Sequence, residues 1–251
     1  VIPDDAFAAL VALAAPWLLI YGRVQAFLLA LPATGERLLP IRVRAALGLA
    51  LTPLFAAAAP TAVPDDLLSI AALMAAEIVT GLVMGLMVRV VAMALDIGST
   101  ALAQSASLSA LLGMSEDMPP HPIGNLMHLA GLAVLMALGL PVLICQFLAD
   151  SFRMMAPGSW PEIGTLWPAF GALVRHGFVL ALLIASPFIL GGLLFQMLSG
   201  VVARVMPAMP VVFIAAPAAV LLALVALTVL LPGILAIWAN DLMSLHLPAL
   251  R

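Results

Sequence analysis

LLSIAALMAAEIVTGLVMGLMVRVVAMAL, residues Leu67–Leu95, holds 29 residues without a proline and with only two charges, Glu77 and Arg89. At 1.5 Å per residue such a run is long enough to cross a hydrocarbon core of about 30 Å as a helix. The stretch predicts a membrane-type helix, and the rest of the chain agrees. Of its 251 residues, 65% are hydrophobic and 8% charged, with a mean hydropathy of +1.26. A soluble domain is only about half apolar. The chain therefore reads as an all-α integral membrane-type protein.

Proline, glycine and charge divide it into about six hydrophobic helical segments. The first covers Ala6–Leu31, interrupted by Pro16 and Arg23, and the second ends near Ala59 after the polar turn Pro32–Arg44. Asp65 and Asp66 are placed to begin the third helix, where negative charge suits the helix dipole. That helix is expected to bend or fold into a hairpin near Asp96–Gly98, with a second arm over Ser99–Leu112. Ile123–Ala149, Gly177–Ala203 and Val211–Ala239 complete the set. Trp160 and Trp167 lie in a loop of the kind that settles at headgroup depth. Pro16, Pro53, Pro141, Pro187, Pro217 and Pro232 fall inside apolar segments. Each is expected to kink or break its helix. The arginines at 37, 42 and 44 favour a cytoplasmic first loop.

A charge at the centre of a membrane helix costs about 2.5–3.5 kcal/mol on insertion scales and faces a partner or water. Arg23, Glu77, Arg89, Asp96 and Arg175 are the residues so placed. Inter-helix ion pairs or snorkelling at segment ends account for them without invoking a transported ligand. Gly81 and Gly85 form a GxxxG that admits another backbone closely. Catalytic signatures are absent: there is no GxSxG, HExxH or Walker A, and Cys145 is the sole cysteine. No enzyme activity is expected, and no cofactor. Met114, Met118, His121, Met127 and His128, with Glu116 and Asp117, follow no metal-ligand spacing, so no metal site is expected. Nothing in the charge distribution suits nucleic acid.

RVQAFLLALPATGERLLPIRVR (Arg23–Arg44), with Arg23, Pro32, Gly35, Pro40 and Arg44, resembles the N-terminal signature of the flagellar biosynthesis FliR family. EIVTGLVMGL (Glu77–Leu86) is similar to that family's acid-led, glycine-spaced helix. DIGSTALAQSASLSALLG (Asp96–Gly113), with Gly98 and Gln104, looks like its Gly-and-Gln element, and Ser151, Phe152, Pro157 and Gly158 like its Ser-Phe…Pro-Gly ending. The resemblance implies a single FliR-like domain over residues 1–251 and a place in a helical hetero-oligomeric export gate of type III secretion. Its partners would be FliP and FliQ, with FlhA and FlhB of the export apparatus, unfolded export substrates and membrane lipid. Its location would be the bacterial inner membrane, at the flagellar basal body. By position, Leu108, Leu111, Leu112, Met114, Met118, Pro119, Pro120 and Pro122 would belong to a plug beside a methionine-rich gasket. Met and Leu side chains are soft enough to seal around an unfolded chain. The competing reading is a small-solute secondary transporter of the inner membrane, with Arg23, Glu77 and Asp96 around a midplane site.

Overall fold

In a computed structural model, the described residues are 4–32, 39–58, 64, 66–106, 122–206 and 211–245, and these contain no strand. The helices are α1 (Asp4–Ala30), α2 (Ile41–Leu51), α3 (Leu67–Ala106), α4 (Pro122–Ala137), α5 (Leu140–Met154), α6 (Ile163–Val205) and α7 (Val211–Met243). A 3₁₀ helix, Thr52–Ala58, continues α2. The all-α membrane-type fold is as the composition predicts. α3, α6 and α7 are long and apolar enough to cross a bilayer, and α4 with α5 makes a broken fourth candidate.

The chain forms two compact units. One comprises Val1–Val90, Leu140–Leu173 and Leu245–Arg251; the other Val91–Gly139 and Val174–Ser244. In the first, Leu19, Ile20, Val24 and Phe27 of α1 are buried, as are Met84 and Met87 of α3. α5 contributes Leu140, Leu143, Ile144, Phe147, Leu148 and Phe152 to this core. Their i, i+3, i+4 spacing gives α5 one apolar stripe, with Val142, Gln146 and Arg153 on the exposed side. In the second unit Leu95, Leu102, Met127, Leu135, Ile184, Phe188, Leu227 and Trp238 are buried.

Two boundaries differ from the sequence expectation. α3 is one continuous helix of 40 residues, with no hairpin at Asp96–Gly98. The hydroxyls of Ser99 and Thr100 both donate to the Asp96 carbonyl, each at 2.8 Å, so the polar stretch is absorbed by the helix. Gly98 is held too, because a Cβ there would meet Ile184 and Met127. Conversely, Ile123–Ala149 is two helices rather than one. The break falls at Leu138–Gly139, before Pro141 rather than at it. Gly139 takes φ 93°, a left-handed conformation that ends α4 at little steric cost.

Pro53 falls where α2 gives way to the 3₁₀ helix, as expected, but the remaining four do not break their helices. Pro16, Pro187, Pro217 and Pro232 all lie within continuous helices. At Pro187 the reason is visible. Proline has no N–H to give the Leu183 carbonyl, and the Ser186 hydroxyl donates to that oxygen instead, at 3.0 Å.

Asp66 begins α3 as the sequence predicts. Its Oδ2 accepts from the backbone N–H and from the hydroxyl of Ser69, both at 3.1 Å. These bonds hold the Asp66 carboxyl below its ordinary value. A carboxyl lowered by folding stabilises the helix start above its unfolded pKa, and the effect is lost as pH falls through the lowered folded value. Asp66→Asn should keep the cap but abolish this pH dependence, while Asp66→Ala should fray the first turn at every pH. The carbon-13 shift of the Asp66 carboxyl across an acid titration checks the direction; a midpoint at or above the ordinary Asp value contradicts it.

Candidate functional site

Arg23 lies two turns before the end of α1, in a core with no access to solvent, and Glu77 of α3 is equally buried. The two meet in a fork. Arg23 Nε donates to Glu77 Oε2 at 2.6 Å and Nη2 donates to Oε1 at 3.0 Å. Such bidentate geometry is the strongest form of the Arg–carboxylate contact.

The remaining guanidinium nitrogen serves the end of α5. Arg23 Nη1 donates to the carbonyls of Ser151 at 3.1 Å and Met155 at 3.0 Å. The last carbonyls of a helix lack intrahelical donors and carry the negative end of its dipole, so a cation fits there. The ring of Phe152 lies under the guanidinium, 4.5 Å from Cζ to its centroid. Phe55 packs on that ring at 5.4 Å. Glu77 Oε1 accepts one more bond, from the backbone N–H of Gly158 at 2.5 Å. Gly158 has φ 85°, a conformation open to glycine, and it aims that N–H inward. The clamp thus ties α1, α3, the end of α5 and the turn after it.

Close backbone approach makes this reach possible. A Cβ on Gly81 would meet the Arg23 carbonyl, Ala26 and Phe27, and one on Gly85 would meet Ala30 and Phe27. The GxxxG partner is therefore α1, which sequence alone did not identify. Gly22 supplies the reciprocal gap, against Met74 and Glu77.

The other charged candidates are not gathered into this cluster. Arg89 is half-buried on α3, and it has no ion pair or hydrogen bond among the described residues. Arg175 is exposed on α6, next to His176, whose Nε2 lies 2.8 Å from Asp241 on α7. Asp96 stands 2.6 Å from His128 Nδ1, joining α3 to α4. Asp96 stands out in the sequence as a charge in an apolar segment, whereas nothing local marks His128 as its partner.

The two helices that meet here, α3 and α4, flank residues 107–121. Leu108, Leu111, Leu112, Met114, Met118, Pro119 and Pro120 lie outside the described residues, as does His121, and Pro122 opens α4. The flanking helices are described and touch: a Cβ at Gly124 would meet the Ser99 carbonyl and Ala103. With Asp96–His128 one turn further along each helix, α3 and α4 are joined at two levels.

The clamp yields a quantitative expectation. Arg23→Leu leaves a buried carboxylate without its cation, and Glu77→Leu leaves a buried guanidinium without its anion. Each should cost about 3–5 kcal/mol. The double variant should cost less than the sum by at least about 2 kcal/mol, because neither charge is then stranded. Thermal unfolding of the four proteins in mild detergent measures the coupling, and simple additivity would separate the two residues. Gly81→Leu should be as damaging as either single variant, since α1 would have to withdraw.

The residues that meet here come from the stretches on which the sequence resemblance rests: Arg23, Glu77, Gly81, Gly85, Ser151, Phe152 and Gly158. Comparison with known proteins bears on the same span. The FliR flagellar biosynthetic protein of Caulobacter vibrioides is 24% identical over 227 residues, which cover 88% of this chain and 90% of that one. Residues 14–245 match the family of bacterial export proteins, family 1. That match runs from α1 to the end of α7 and takes in every residue of the clamp, so one kinship accounts for all seven helices: the chain belongs to the bacterial export proteins, family 1.

Proposed function

We propose that this export protein is a subunit of the flagellar type III secretion export gate, forming with FliP and FliQ the channel through which unfolded flagellar proteins leave the cell. It works beside FlhA and FlhB in the inner membrane, at the flagellar basal body, and residues 1–251 act as one gate domain. The observation that carries this reading is the family match over residues 14–245, together with a curated relative named for flagellar biosynthesis.

Physical features support it. α6 leaves Phe178, Leu182, Leu183, Leu190 and Leu194 exposed, and α7 leaves Leu221, Val225, Val229 and Ile237 exposed. Less than a third of the most apolar window of α6 is buried in the chain, and under a fifth of that of α7. Such faces require lipid or other apolar subunits. A protein that bounds a passage needs shape and sealing rather than bond-making groups, which accords with a sequence free of catalytic motifs. In this reading the segment Leu108–Pro122 is the plug. Its methionines and leucines close around substrate and exclude water by dewetting, and Pro119, Pro120 and Pro122 keep either helix from extending through it.

Native mass analysis of the tagged protein, co-expressed with its genomic neighbours, tests the assembly. A large hetero-complex with two other small apolar subunits is expected. A monomer or homo-oligomer that takes up a small solute in liposomes would replace the gate with a secondary transporter. Deleting Ser115–Pro122 should leave complex yield intact and raise ion leakage across the membrane. Unchanged conductance and membrane potential in cells carrying the deletion would remove the plug.

A further inference from the structure

We propose that one face of α6 meets the lipid of the bilayer directly, with Arg175 and Arg204 bound to phospholipid phosphates of its two leaflets. This contact depends on the membrane-type fold and not on which channel the protein helps to form. Both arginines are exposed, and neither has an ion pair or hydrogen bond among the described residues. Both belong to the second unit.

Spacing identifies the partner. Arg175 and Arg204 stand 29 residues apart on one continuous helix, or about 44 Å along its axis. A bilayer measures about 40–45 Å including its headgroup regions, around a hydrocarbon core of about 30 Å. A tilt of about 20°, usual for such helices, leaves about 41 Å between the two levels, still within that thickness. Trp167 makes a poorer boundary, because it lies 37 residues from Arg204, or about 56 Å. Charge, rather than the ends of the helix, marks the band. Gly177–Ala203 contains none. α7 carries none before Asp241, and Asp241 meets His176 at 2.8 Å, so both helices leave the charge-free band at one level.

Direction agrees with spacing. At 100° per residue the two arginines differ by about 20° around the axis. Val179, Leu182, Ile189, Leu193 and Met197 lie within about 40° of Arg175, and all five are exposed. Ser186 falls on the same line, and its hydroxyl is spent on the Leu183 carbonyl. Gln196, the exposed amide of this span, stands about 60° aside.

The face therefore reads cation, apolar stripe, cation. A phospholipid bilayer offers the matching order of phosphate, acyl chains and phosphate at the same distances. A guanidinium donates paired hydrogen bonds to phosphate oxygens, and acyl chains ask no polar group of the stripe between. Another subunit would have to present acids at both levels and an apolar surface over the whole interval.

Spin labels on α6 test the face. The protein, carrying Cys145→Ala and one new cysteine, is purified in mild detergent with the subunits that accompany it. It is returned to vesicles of phosphatidylethanolamine and phosphatidylglycerol and read against Cys145→Ala alone. Ile189 lies about 21 Å from Arg175 and about 22 Å from Arg204. An Ile189→Cys label should therefore collide most often with dissolved oxygen. Val179→Cys and Gly200→Cys lie about 16 Å either side of the midpoint, at the edge of the hydrocarbon. Gly200 has open space for the new side chain. At both positions oxygen collisions should fall at least about twofold, and collisions with a water-soluble nickel chelate should rise. Labels reached by neither reagent would mean that another subunit covers the stripe. Nickel collisions along its whole length would mean that it borders water. Either result overturns the assignment. The headgroup contacts are read by native mass spectrometry. Arg175→Gln with Arg204→Gln should remove at least about half of the phospholipid that stays bound, and Arg175→Lys with Arg204→Lys should keep most of it. An unchanged lipid count in the glutamine variant takes the two arginines away from the headgroups.

Discussion

Everything placed in the first unit depends on a pair of charges that water never reaches. Moving a guanidinium and a carboxylate out of solvent carries a penalty that their mutual attraction offsets only when every donor and acceptor is used. Here the fork between Arg23 and Glu77 is completed by the carbonyls of Ser151 in α5 and of Met155 just past its end, the face of Phe152 and the N–H of Gly158. A hydrophobic replacement of good shape could match such a cluster in net stability. It could not match the geometry, because an apolar contact tolerates sliding and a bidentate fork does not. The clamp fixes the register of α1 on α3, and it fixes where α5 must stop.

That geometry explains why glycine recurs around it. The fork reaches across only because Gly22, Gly81 and Gly85 let two helix backbones approach without side chains between them. Close approach and ion pair are two halves of one arrangement. In the second unit a looser version joins α3 to α4, with Gly124 near Ser99 and Ala103 and a partly exposed Asp96–His128 contact. The tight junction lies within the first unit, and the looser one joins the two helices of the second unit that flank residues 107–121.

Much of this was legible in the sequence, and the illegible part has physical reasons. Asp66 could be assigned as a cap because capping is local: acceptor and amide are three residues apart. Gly81 and Gly85 announced a close helix contact, and Arg23 and Glu77 announced themselves as charges in apolar surroundings. Their partners could not be read, since pairing across 54 residues depends on packing that periodicity does not encode. The acceptors on Ser151 and Met155 are backbone carbonyls, and every residue has one. The expected break at Asp96–Gly98 failed because hydroxyls and a glycine that weaken an isolated helix are stabilised here by back-bonding and neighbouring side chains. Pro141 marked the break between α4 and α5 to within two residues, and the turn itself falls on Gly139, the residue able to go left-handed.

The clamp also has a history within each molecule's synthesis. Arg23 is made 54 residues before Glu77, and 132 before Met155. At about 5–20 residues per second, α1 exists for seconds with a cation that nothing in the chain can yet neutralise. During that interval it cannot settle as an ordinary bilayer span, and its arginine must stay with headgroups or water. Once α3 has emerged, a carboxylate is available; only when α5 and Gly158 follow is the last hydrogen bond closed. The order of translation therefore sets an order of burial, in which the first helix made is among the last to come to rest.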